Sequence, residues 1–149
     1  MILPAILHYC QYQERCHQEV RNKLYELGCK TPEVELQIAE LIEKNIVNEE
    51  RFARAYARGK FRMNKWGRQK IRQQLRQRKI SEYCIGKAFQ EIDENEYEST
   101  IRKLVEKKCK VVPTSDREIM KAKQRIYKYL IQKGFEADII KDVINVCIN

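Results

Sequence analysis

Apolar residues recur at spacings of three and four along nearly the whole chain, and no segment alternates cleanly at period two. That periodicity lays one apolar face along a 3.6-residue turn, so it predicts an all-α fold. The pattern also repeats itself. Val20, Leu24, Cys29, Val34, Ile38 and Leu41 superpose on Ile71, Leu75, Ile80, Ile85, Phe89 and Ile92 at a constant offset of 51. Those six superpose on Ile126, Leu130, Phe135, Ile140, Ile144 and Cys147 at an offset of 55. Three copies of one helix pair account for both offsets.

Each pair has the same punctuation. Its first helix ends at Gly28, Lys79 or Gly134, where glycine supplies a left-handed cap and Lys79 is the departure. The next helix follows at once, with Thr31-Pro32 and Ser81-Glu82 as N-cap and first-turn residues. Another helix precedes each pair, carrying Leu3, Ile6, Leu7 and Cys10 in the first copy and Tyr97, Ile101, Leu104 and Val105 in the third. In the second copy Asn48 caps a helix with Glu49 and Glu50 at its positive end, and Phe52, Ala55, Tyr56 and Gly59 share a face. The expected organisation is three tandem three-helix repeat modules, 1–47, 48–93 and 94–149, in an elongated, curved arrangement. Lys110-Val111-Val112-Pro113-Thr114-Ser115 reads as a linker, and Ser115 with Glu118 as a capping box.

Charge singles out the middle module. From Arg58 to Lys79 there are ten basic residues and no acidic one, while the rest of the chain is close to neutral, so the net charge of +9 belongs to this stretch. With Phe61 and Trp66 set inside it, the stretch is an electrostatic footprint for a polyanion. Arg68, Arg72 and Arg76 form an i, i+4, i+8 ridge with Lys65 on the same side, its members rising by roughly 6 Å. No Glu or Asp stands at i±4 to compensate them, unlike an ordinary solvated helix of mixed sign. Trp66 either stacks on a partner or covers the junction of two helices. Phe52 and Tyr56 read as core, and Arg51, Arg54 and Arg58 lie on other faces of their helix.

Other chemistry is thin. Cys10, Cys16, Cys29, Cys84, Cys109 and Cys147 include no close C-x-x-C pair, and repeat equivalence makes Cys29 and Cys147 small core hydrophobes rather than zinc ligands. Free thiols, a leading apolar run too short for a signal peptide, and no stretch of membrane-spanning length suggest a cytoplasmic protein. His8 and His17 are the only histidines, and there is no glycine-rich phosphate loop. The acidic run Glu91, Asp93, Glu94, Glu96 and Glu98 reads as a solvated turn between the second and third modules. No enzyme, metal or cofactor is expected.

The run Asn48-Glu49-Glu50-Arg51-Phe52-Ala53-Arg54-Ala55-Tyr56, followed by Lys65-Trp66-Gly67-Arg68-Gln69-Lys70-Ile71-Arg72-Gln73-Gln74-Leu75-Arg76-Gln77-Arg78-Lys79-Ile80-Ser81, resembles the signature of the RecX family, regulators of the RecA recombinase. Cys16-His17-Gln18-Glu19-Val20-Arg21-Asn22-Lys23-Leu24 is similar to that family's first-module pattern. The resemblance is weak in the third module. Cys16 stands where the family commonly has serine, and Lys79 where it commonly has glycine. The resemblance implies tandem three-helix repeats that bind the RecA filament on single-stranded DNA, lodge in its groove, and suppress ATP hydrolysis and strand exchange. It places the chain in recombinational DNA repair and the SOS response, as a monomer without a catalytic centre. The residues expected to meet the filament or nucleic acid, directly or through RecA, are Arg54, Arg58, Lys60, Arg62, Lys65, Trp66, Arg68, Lys70, Arg72, Arg76, Arg78 and Lys79. A stand-alone nucleic-acid binder built on the basic module, resembling helix-turn-helix readers, is the alternative. An adaptor for an acidic protein is a third.

Overall fold

The computed structural model describes residues 1–109 and 114–148. Nine helices and no strand occur among them: α1 (Pro4–Tyr12), α2 (His17–Glu26), α3 (Thr31–Glu43), α4 (Glu49–Asn64), α5 (Arg68–Gln77), α6 (Glu82–Phe89), α7 (Glu94–Lys108), α8 (Asp116–Gln132) and α9 (Ala137–Cys147). Of the expected linker, Lys110–Pro113 lie outside the described residues.

The caps are largely where local chemistry puts them. Gly28 (φ 93°), Lys79 (φ 59°) and Gly134 (φ 95°) each adopt the left-handed conformation that closes a helix, lysine included. Asn48 Oδ1 accepts from the Arg51 N–H at 3.0 Å, and Ser81 Oγ from the Cys84 N–H at 3.2 Å. Two expectations need correction. The third helix is capped at Lys30 with Pro32 in its first turn, and the Thr31 hydroxyl bonds Tyr25 Oη instead. At α8, Ser115 Oγ accepts from the Glu118 N–H, but the Glu118 carboxylate turns to the Thr114 N–H and hydroxyl, so only half of the capping box closes.

The described chain gathers into two compact units, Met1–Tyr56 with Gln74–Phe89, and Ala57–Gln73 with Gln90–Asn149. In the first unit Ile6, Cys10, Val20, Leu24, Val34, Ile38, Leu41 and Val47 form one buried cluster. Each such aliphatic side chain stabilises the fold by about 1.5–3 kcal/mol. Gln37 is the buried polar residue here, and its amide is satisfied at both ends, accepting from the Leu3 N–H (3.1 Å) and donating to the Met1 carbonyl (2.6 Å).

In the second unit Phe61, Tyr97 and Phe135 stack in a tilted series, with ring centroids 5.6 and 5.4 Å apart. Ile71, Ile101, Val105, Ile126, Leu130 and Ile140 close round them. Each aromatic pair contributes about 0.5–1.5 kcal/mol beyond its area. Phe61 is therefore core, 1% exposed, and not an aromatic offered to a partner.

The repeat positions are buried throughout, save Cys29, Phe89 and Cys147, which are half-buried. Of the six cysteines, Cys10 and Cys16 are buried and Cys29, Cys84, Cys109 and Cys147 half-buried. The expected face of α4 is corrected. Its buried positions are Phe52, Ala53, Ala57 and Phe61, whereas Ala55 and Tyr56 are half-buried and a Cβ on Gly59 would meet nothing within 4 Å. The competing stripe at 53, 57 and 61 has the same helical spacing, and it is the one that is buried.

Candidate functional site

The second unit is organised around the turn joining α4 to α5. Lys65 enters the left-handed region (φ 57°), which turns the chain sharply enough for α5 to begin at Arg68. The opening N–H groups of α5, orphans by helix geometry, find acceptors at once. Gly67 donates to the Lys133 carbonyl (2.7 Å), Arg68 to Tyr97 Oη (3.0 Å) and Gln69 to the Gly134 carbonyl (2.9 Å). The positive end of α5 thus meets the carbonyl end of α8, a favourable alignment of helix dipoles.

Only glycine permits this approach. A Cβ on Gly67 would stand 2.4 Å from the Gly134 carbonyl carbon, and one on Gly134 would stand 2.3 Å from Lys70 Cβ. The Lys133 ammonium ties the same junction by donating to the Asn64 carbonyl at 2.6 Å.

Arg68 lies beside this crossing with its side chain only 16% exposed. Nη1 donates to Glu136 Oε2 (2.7 Å), Nη2 to Glu94 Oε1 (2.5 Å), and the guanidinium carbon sits 4.0 Å from the Tyr97 ring centroid. Tyr97 Oη donates in turn to Glu136 Oε1. Burial works against the charged guanidinium, but the bonds it donates to Glu94 and Glu136 outweigh it and hold Arg68 above the ordinary arginine value. Burial, then the hydrogen bond to Glu136, pushes the Tyr97 phenol far above its ordinary value. Arg68 is a structural tie of this unit.

The other arginines of the basic stretch are similarly engaged. Arg58 bonds Glu91 (2.9 Å), Arg62 lies 3.8 Å from Glu96, and in the first unit Arg76 bonds Glu82 (2.7 Å) and Arg54 bonds Glu50 (3.2 Å). Arg78, also in the first unit, reaches the Gln74 carbonyl and lies 5.0 Å from the Tyr56 ring centroid. Arg72 is half-buried on α5, and Lys79 is exposed. The expectation of an uncompensated basic ridge is therefore corrected at Arg68, which pairs with Glu94 and Glu136, and at Arg76, which pairs with Glu82 six residues on. The acidic run is corrected with it: Glu91, Glu94 and Glu96 are the partners of Arg58, Arg68 and Arg62, and Asp93 caps α7.

The lysines behave differently. Lys60 and Lys70 place their ammonium groups 4.9 and 4.6 Å from the Trp66 ring centroid, and Lys65 donates to the Arg62 carbonyl. Burial first, then the like charges of Lys70, Lys108 and Lys65, lowers the Lys133 amine below the ordinary lysine range. Two members of this group, Lys108 and Lys133, were not expected from the sequence. The signal for Lys133 was its place directly before the capping Gly134; Lys108 had none.

No group of three or more His, Cys, Asp or Glu side chains among the described residues is placed to hold a metal ion. Among them, too, no helix is long and apolar enough to cross a membrane. An all-helical chain whose charge gathers at one helix–turn–helix defines the class, a helical-repeat protein without strands among the described residues. Models of the RecX second and third three-helix domains match residues 48–88 and 95–144. The chain belongs to the RecX family.

Among its relatives, the regulatory protein RecX of Clostridium perfringens strain 13 is 28% identical over 130 residues, 87% of this chain and 60% of that one. The protein of the same name from Clostridium botulinum strain Eklund 17B is 31% identical over 136 residues, 91% of this chain and 63% of that one. The chain thus spans about 60% of the length of the curated relatives it matches. The crystal structure of RecX from Lactobacillus salivarius superposes with a TM-score of 0.83 at 26% identity, covering 96% of this chain and 92% of that one.

Proposed function

We propose that this chain is a negative modulator of the RecA recombinase. It docks on the filament that RecA forms on single-stranded DNA, and there suppresses ATP hydrolysis and strand exchange. It acts as a monomer in the cytoplasm and carries no catalytic centre. Three-helix modules at 1–47, 48–93 and 94–149 serve as its binding units, with the central basic one facing the filament's DNA or its acidic surfaces. The names of the relatives support a regulatory role. The observation that carries the docking reading is the division of labour within the basic stretch: most of its arginines are tied to carboxylates or an aromatic ring of the fold, while Lys60 and Lys70 flank the Trp66 ring and the exposed Lys65 donates to the Arg62 carbonyl of the same turn.

The test is RecA ATP hydrolysis on single-stranded DNA. Stoichiometric addition of the chain is expected to lower the rate, and Lys65→Glu with Lys70→Glu to restore it while circular dichroism stays helical. An unchanged rate with the unaltered chain would sink the proposal.

A further inference from the structure

A second basic surface lies on α8, outside the helix–turn–helix of the middle module. From Ile119 to Phe135 the chain carries five cations, Lys121, Lys123, Arg125, Lys128 and Lys133, and no acid. Lys133 is committed to the Asn64 carbonyl, but Lys121, Arg125 and Lys128 are exposed and, among the described residues, pair with no carboxylate. We infer that the outer face of α8, with the cleft between it and α9, docks an acidic amphipathic helix of a protein partner. One large apolar side chain fills the cleft, and carboxylates on the flanking turns meet the cations. The inference goes beyond the regulatory reading above and does not depend on it.

Three observations carry it. First, the cleft has the size of a single anchor. Lys123, Gln124 and Tyr127 of α8 and Lys141, Ile144 and Asn145 of α9 line about 350 Å³, near the lower end of the roughly 300–1,000 Å³ typical of a ligand pocket. Ile144 is buried and Tyr127 half-buried, while at the rim Lys123 Nζ donates to Asn145 Oδ1 (3.3 Å) and the Lys141 ammonium stands 5.8 Å from the Tyr127 ring centroid. Second, apolar side chains continue along α8 on both sides of the cleft. Met120 (64% exposed), Tyr127 and Ile131 (40% exposed) recur at spacings of seven and four, which keeps them on one helical face over roughly 16 Å. Such a stripe matches a partner helix whose own anchors recur every three or four residues. Third, the charge beside the stripe has one sign. Lys121, Arg125 and Lys128 follow at spacings of four and three, so they form a row next to the apolar face. A helix with glutamates flanking its leucines complements both the stripe and the row, and opposite charge across the contact fixes its register. A nucleic-acid strand would match the cations alone, because it brings no aliphatic group to a cleft that Ile144 helps to line.

The probe is a fluorescein-labelled helical peptide of about four turns, with leucines at alternating spacings of three and four and glutamates on either side of them. Its fluorescence anisotropy is followed as the intact chain is added, with neither RecA nor DNA present. Saturable binding is expected at low salt. Tyr127→Ala removes one wall of the cleft and should weaken binding by at least about tenfold, the effect of truncating an interface anchor. The double variant Arg125→Glu with Lys128→Glu should weaken it comparably by reversing the row. Both of those side chains are exposed, so this variant keeps the test decisive should Tyr127→Ala lose its helicity in circular dichroism. Four results would overturn the surface: no saturable binding at low salt, unchanged affinity in the double variant, equal affinity for a peptide with serines in place of the leucines, or displacement of the peptide by an oligothymidylate at lower concentration than by unlabelled peptide. The last would assign the face to nucleic acid instead. RecA takes no part in the assay, so each of these results leaves the regulatory proposal to its own test.

Discussion

With glutamates at two of its nitrogens and the Tyr97 ring beneath it, Arg68 stands to lose more by mutation than an exposed cation does. Arg68→Ala leaves Glu136, itself only 19% exposed, without its cation and is expected to cost about 2–4 kcal/mol, read from urea unfolding. Arg68→Lys should recover only part, since an ammonium cannot reach both carboxylates with the same fork. The same unit is intolerant at Gly67. Gly67→Ala brings a methyl to 2.4 Å from the Gly134 backbone, so the helices must part, at about 1–3 kcal/mol in the same measurement. Neither residue is a suitable site for testing docking, because both hold the fold. Lys70, which grips no carboxylate among the described residues, is the informative position.

At the scale of helices, the α5–α6 turn shows chemistry at odds with its conformation. Lys79 holds a left-handed backbone that disfavours a side chain by about 1–2 kcal/mol. Lys79→Gly removes that strain but loosens the unfolded chain by about 0.5–1 kcal/mol. The expected net gain is a fraction of a kcal/mol, seen as a small rise in Tm. Such turns were legible because a cap is decided by a few adjacent residues. So was the core stripe of the helix pairs, where Leu24, Leu75 and Leu130 recur at equivalent places and are all fully buried. The buried face of α4 was not. Alanines at 53, 55 and 57 satisfy either stripe, and the choice between them is made by what packs against the helix.

Over the whole molecule, charge is balanced through space as well as along the chain. Arg68 and Glu136 are 68 residues apart, so no window of sequence could have joined them, and the candidate site was legible only as a stretch of cations. Its division into arginines that hold the fold and lysines that gather required the third helix triplet to be in place. Acid should weaken this balance. The hydrogen bond of Arg21 holds the Glu35 carboxyl below its ordinary value of 4.5, and the Thr114 N–H does the same for Glu118. For groups lowered on folding, the stability they add is complete above 4.5 and is lost as pH falls through the folded value. Thermal melts should therefore be insensitive to these groups near neutrality and decline below pH 4.5, more steeply in the unaltered chain than in Arg21→Ala.

The sharing of α4 and α5 between the two compact units has a practical side for anyone dividing the gene. A clone starting at residue 94 contains α7, α8 and α9 but omits Phe61 and Ile71 from the core they help to fill. Its product should melt without cooperativity, whereas one starting at residue 57 restores both side chains to that core. The cloning boundary that respects the core therefore runs through the middle of a helix.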